Sequence, residues 1–169
     1  MAALVLIAAF ALLMLAGAVK DIQSFTIPNW ICIAAAALFV PAAAIAGLGW
    51  AGFAAHLAVG FAVLLLGMGL FAMRWLGGGD AKLLAAAALW AGWPDVLMFL
   101  AYVAALGGVF TLLLMAARRA FGPAAQHAGL SLPILERARE IPYGVAIAGA
   151  ALIFLPRADI GAALISAAA

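Results

Sequence analysis

Charge is the first shortage in this sequence. Of 169 residues only 8% are Asp, Glu, Lys or Arg, against about a quarter in an ordinary soluble domain. So little polar surface cannot coat a water-soluble globule, and a disordered chain needs the opposite balance of high charge and low hydrophobicity. Cysteine is scarcer still. Cys32 stands alone, which excludes a disulfide framework and a cysteine-built zinc site, and its place inside an apolar run reads as packing. The two histidines, His56 and His127, have no partners at metal-ligand spacing, so both read as incidental, and neither a metal nor a cofactor is expected. A net charge of +2, with the bases dispersed between apolar runs, excludes a nucleic-acid surface. The short alternating segments of an outer-membrane barrel are also missing.

What remains is hydrophobic. The chain is 71% apolar with a mean hydropathy of +1.32, arranged in long Ala- and Leu-rich runs. That pattern predicts an all-α, polytopic bundle of membrane helices forming one membrane-embedded domain over residues 1–169. A span needs about 20 apolar residues, and six segments are expected: 2–19, 28–47, 51–73, 80–93, 96–117 and 141–155. The first is read as a retained span, because its positive charge, Lys20, follows the run instead of preceding it. Trp93-Pro94 is expected to stop the fourth segment and Arg118-Arg119 the fifth. The apolar tail 160–169 is too short to cross alone.

Lysine and arginine orient the chain. With the amino terminus outside, the inner turns hold Lys20, Arg74, Lys82, Arg118, Arg119, Arg137 and Arg139, and only Arg157 of the eight basic residues falls outside. The segment Arg118 to Glu140 then reads as a positively charged cytoplasmic loop.

Six acids are left to account for. Asp95 and Asp159 fall in exterior turns, and Glu136 and Glu140 lie among the loop arginines. Asp21 and Asp80 instead abut spans, where a carboxylate is costly enough to be a functional candidate. Two crossings separate them, so both belong to the same face and can meet. Carboxyls at close range cannot both ionise. The ionised member can activate water while the protonated one polarises a carbonyl. The Gly77-Gly78-Gly79-Asp80 run sets a strip without side chains beside the second acid, read either as a helix break or as room for a peptide backbone. Lys82 reads either as a residue snorkelling to the interface or as a substrate contact. From Asp80 to Trp93 a helix rises about 21 Å, less than the roughly 30 Å hydrocarbon core, so Asp80 is expected below the membrane surface. On helix ends alone, Asp80 at the start of a helix is the better placed carboxylate and Asp21 at the end of one the worse, which puts the shared proton near Asp21.

Three blocks resemble those of the type IV prepilin peptidases: Lys20-Asp21-Ile22-Gln23-Ser24-Phe25-Thr26-Ile27-Pro28-Asn29, then Gly77-Gly78-Gly79-Asp80-Ala81-Lys82-Leu83, then Ile141-Pro142-Tyr143-Gly144-Val145-Ala146. The resemblance implies a membrane aspartic endopeptidase that cuts the basic leader from prepilin-like substrates at the cytoplasmic face of the inner membrane. Asp21 and Asp80 are then the catalytic pair, with Gly77, Gly79 and Lys82 as substrate-positioning candidates. The partners implied are a prepilin-like protein and the lipid bilayer. The short form is similar to the tight-adherence pilus branch or the archaeal preflagellin branch. Two other readings of the same acids stay open: an ion- or proton-coupled transporter, and a non-catalytic subunit of a secretion machine.

Long members of this family carry an extra cytoplasmic segment, often with paired Cys-x-x-Cys ligands, and methylate the product. This chain has one cysteine and no comparable segment between its apolar runs. Product made by this protein alone with S-adenosylmethionine is therefore expected to carry an unmethylated amino terminus. A gain of one methyl group in its mass spectrum would refute this.

Overall fold

Alanine and leucine are strong helix formers, and the computed structural model is built from helices. It describes residues 1–93, 95–127, 133–136 and 141–168, and the backbone alone of 123–126, 133 and 136. The elements are α1 (Ala2–Ser24), α2 (Asn29–Ile45), α3 (Trp50–Ala72), α4 (Gly78–Ala91), α5 (Val96–His127), α6 (Pro133–Glu136), α7 (Tyr143–Phe154) and α8 (Asp159–Ser166). Arg137, Arg139 and Glu140 of the expected loop, and Pro94 of the expected stop, lie outside the described residues.

The helices turn apolar side chains in both directions. Leu12, Trp30, Phe61 and Leu112 are among many large apolar residues left exposed, an arrangement suited to lipid and not to water. The protein is a membrane protein. The inner contacts use small residues, as helix pairs without a hydrophobic driving force between them require. α4 is enclosed over most of its surface, with Ala81, Leu83, Ala85, Ala86, Ala87, Ala88 and Ala91 buried. α3 packs closest to it. A Cβ on Gly67 of α3 would lie 2.9 Å from the Ala81 Cβ, so glycine permits the approach.

Two polar side chains pin α4 to its neighbours. The Trp90 indole donates to the Ala35 carbonyl of α2 at 3.0 Å, and its ring packs on Phe10 of α1 with centroids 4.2 Å apart. His56 of α3 is buried, with Nδ1 donating to the Leu89 carbonyl at 2.6 Å and its ring stacked on Phe39. His56 is thus a tie between helices and not incidental.

The expectation of six spans needs correction. Three helices are long and apolar enough to cross alone: Ala2–Ser24, Trp50–Ala72 and the Val96–Gly122 part of α5. A fourth is reached only if α7 and α8, bent by 53° at their junction, count together. α2 has 17 residues and α4 has 14, which rises about 21 Å and falls short of a hydrocarbon core of about 30 Å. Counting apolar residues included those of the turns, and a helix jacketed by its neighbours need not reach both membrane surfaces. Several boundaries also move. α1 continues past Lys20-Asp21 to Ser24 and ends where Phe25 takes the left-handed conformation, φ 53°, with its N–H on the Asp21 carbonyl. α5 continues through Arg118 and Arg119 to His127. Charge marks where a chain leaves lipid, but lysine and arginine are good helix formers and do not end the helix. The tail folds as α8 and packs on α1, α2 and α4.

Placing a methyl at Gly67 is expected to cost about 1–3 kcal/mol, the usual range for overpacking. Gly69→Ala, with no atom within 4 Å of its Cβ position, is expected to gain about 0.4–1 kcal/mol. Thermal unfolding midpoints in detergent check both. Equal midpoints for Gly67→Ala and Gly69→Ala would contradict the tight α3–α4 contact.

Candidate active site

The buried face of α1 is a single stripe of Ala3, Leu6, Phe10, Met14, Gly17, Ala18 and Asp21, spaced at three and four residues as one helix face requires. Asp21 therefore points inward by continuing the stripe that packs the helix, and it is 3% exposed. One oxygen, Oδ2, accepts the backbone N–H of Gly144 at 2.7 Å. Gly144 is the second residue of α7, whose N-cap Pro142 makes no side-chain capping bond. First-turn N–H groups have no partner within their own helix, and Asp21 supplies one from α1.

Asp80 arrives from the other direction. Gly77 is the N-cap of α4 and Asp80 its third residue, the position from which an acidic side chain reaches back to the cap N–H. The Asp80 carboxyl turns back in this way, with Oδ2 only 2.6 Å from where a Cβ on Gly77 would stand. It is 8% exposed, and Oδ1 is a buried oxygen with no hydrogen-bond partner among the described residues. The two carboxyls thus converge on one cleft, which both of them line.

This convergence revises the expectation about helix ends. Asp21 does lie near the carboxyl end of α1, but its carboxylate faces the amino end of α7, where the dipole favours negative charge. Among the described residues it is Asp21 that holds the 2.7 Å backbone bond and Asp80 that has an unpartnered oxygen. The ranking drawn from the two helices' own ends is therefore reversed by a third helix.

Glycine makes the convergence possible. A Cβ on Gly144 would lie 2.8 Å from Asp21 Oδ2, and one on Gly77 would lie 2.6 Å from Asp80 Oδ2. Ile27, in the α1–α2 connection, wedges between the supports: a Cβ on Gly79 would sit 3.0 Å from the Ile27 Cβ, and one on Gly144 2.9 Å from its Cδ1. Gly77 and Gly79 are therefore occupied in seating the acids and packing the helices. Lys82 points elsewhere, its Nζ donating to Asn29 Oδ1 at 2.8 Å, and it does not line the cleft that holds the acids.

That cleft measures about 670 Å³, with Asp21, Gly77 and Asp80 at its base and Phe25, Phe71, Arg74, Trp75, Ile141 and Tyr143 around it. Arg74 is a non-glycine residue at φ 62° in the turn between α3 and α4. The walls and Gly144 carried no sign in composition. Their one signal was the Pro142-Tyr143-Gly144 triplet opening the last apolar run, which has the look of a helix start but does not reveal what the free N–H groups meet. Among the described residues, no three His, Cys, Asp or Glu side chains gather as a metal site would need.

No curated protein and no solved structure matches the chain. Residues 8–112 match the type IV leader peptidase family, a stretch that includes Asp21, Ile27 and Asp80. With well over half of its length matched, the chain belongs to the type IV leader peptidase family and is a membrane peptidase.

Proposed function

We propose that this protein is an aspartic leader peptidase in which Asp21 and Asp80 cut the basic leader of prepilin-like substrates from the cytoplasmic side of the inner membrane. One observation carries the reading: two buried carboxyls, from distant parts of the chain, line one open cleft, with Asp21 held there by the Gly144 N–H. Carboxyls so placed share one proton. Asp21, anchored by Gly144, is the base, and Asp80, with its unpartnered Oδ1, is the acid.

In this mechanism Asp21 takes a proton from a water molecule as the water oxygen attacks the scissile carbonyl. Asp80 donates its proton to the carbonyl oxygen, giving a neutral tetrahedral diol. Collapse breaks the C–N bond. The proton on Asp21 passes to the leaving nitrogen, and a diol hydroxyl returns a proton to Asp80. The dyad ends as it began, with no covalent intermediate.

The cytoplasmic assignment rests on the distribution of Lys20, Arg74, Lys82, Arg118 and Arg119 around the cleft end of the helices. A cleft at the ends of helices also supports peptide hydrolysis over ion relay, since transporters place their sites near the midplane. Asp80 lines this cleft, and its unpartnered Oδ1 leaves no protein hydrogen bond among the described residues to be broken there.

Asp21→Asn and Asp80→Asn are each expected to abolish cleavage of a prepilin by the purified protein in detergent while leaving its unfolding midpoint near that of the unsubstituted protein. Near-normal activity in either would overturn the dyad assignment. Gly144→Ala is expected to lower kcat by about 100-fold, the usual penalty for displacing a catalytic group by about 1 Å. A Gly144→Ala protein with unchanged kcat would show that the close approach of Gly144 to the Asp21 carboxyl does not position it.

A further inference from the structure

A second hollow, separate from the cleft, lies on the lipid-facing side. α2 and α3 each pack on α4 but scarcely on one another, leaving a groove of about 610 Å³ between them. Ala85, Ala86 and Leu89 of α4 form its floor, with Ile33 of α2 and Phe61 and Leu64 of α3 as walls. Its polar side chains, Asn29, Cys32 and Lys82, cluster at the end where α2 and α4 begin, which is the end that carries the acids. At the opposite end the lining stops at Ala36 of α2, Leu57 of α3 and Leu89 of α4.

We infer that this groove is a binding site for an anionic phospholipid, with the phosphate on Lys82 and Asn29 and an acyl chain along α4. Three observations select that occupant. Lys82 is exposed, spends one of its three N–H donors on Asn29, and has no carboxylate within ion-pair distance among the described residues. Two donors and a full positive charge remain for an anion. Basic pockets between membrane helices hold lipid headgroups in this way.

Depth is the second observation. Trp30, beside Asn29, is 58% exposed, and tryptophan in that setting marks the headgroup level. From Lys82 to Leu89 a helix rises about 10 Å, within one leaflet of a hydrocarbon core about 30 Å thick. Third, the groove ends there, its lining on α4 running only from Lys82 to Leu89. A spanning peptide helix would need a track through both leaflets, whereas one acyl chain needs only this half. A basic leader would also be repelled by Lys82.

Photoactivatable phosphatidylglycerol, with the reactive group in its acyl chain, tests this in the full-length protein reconstituted in phosphatidylcholine nanodiscs. Labelling is expected at Ile33, Phe61 and Leu64. Unlabelled phosphatidylglycerol should compete about fivefold better than phosphatidylcholine, the preference that one lysine near an anionic headgroup supplies. Lys82→Gln should abolish that preference and Lys82→Arg should keep it. Equal competition by the two lipids, a preference that survives Lys82→Gln, or labelling displaced by an apolar peptide helix but not by anionic lipid would each overturn the proposal. The same measurement on the Asp21→Asn protein gives the same result whether or not the dyad reading holds, because the groove and the cleft share none of these residues.

Discussion

The peptide N–H of Gly144 is the constraint on which the rest of this structure depends. A bare carboxylate pair in a membrane bundle would be costly twice over, through lost hydration and mutual repulsion. The first turn of α7 offsets part of that cost, because its N–H groups need partners as much as the acids need donors. α1 brings Asp21 to it at 2.7 Å, and α4 brings Asp80 into the same cleft. The site is therefore a three-helix junction in which acid and helix start satisfy each other.

Much of the remaining architecture follows from holding that junction still. α4 is short and enclosed, and it is fixed to α2 by Trp90 and to α3 by His56 at the end far from the acids. Ile27 sets the spacing between Gly79 and Gly144 at the near end. Side chains that look unremarkable one at a time thus act as spacers, and glycines stand where a single methyl would enter the space of a carboxyl. The resulting site is rigid at its base and open above, as a protein-sized substrate requires.

The sequence exposed the two acids because the bilayer makes carboxylates conspicuous. Asp21 and Asp80 stood out from the four other acids by their position against apolar runs, and the two apolar runs between them, which fold as α2 and α3, return the chain to the same end. It did not expose their support. α1 is apolar nearly all round, so no amphipathic stripe distinguished the face on which Asp21 lies. Gly144 offers only a backbone N–H, which no side-chain pattern records. The spans were overcounted for a related reason. Runs of alanine and leucine register as apolar whether they face lipid or a neighbouring helix, so a jacketed 14-residue helix such as α4 resembles a truncated span. Lys82 shows the opposite failure. Two residues from Asp80 in sequence, it lies on another face of α4 and bonds to Asn29.

The central claim is that Asp21 and Asp80 form one proton-sharing unit, with Asp21 the charged member. Carboxyl-resolved infrared spectroscopy of the protein in nanodiscs at neutral pH, compared with its Asp21→Asn and Asp80→Asn variants, tests it most directly. The account predicts one protonated and one ionised carboxyl, loss of the protonated band in Asp80→Asn, and a shift of that band in Asp21→Asn. Two ionised carboxylates whose bands each stay unmoved when the other acid is replaced would contradict it.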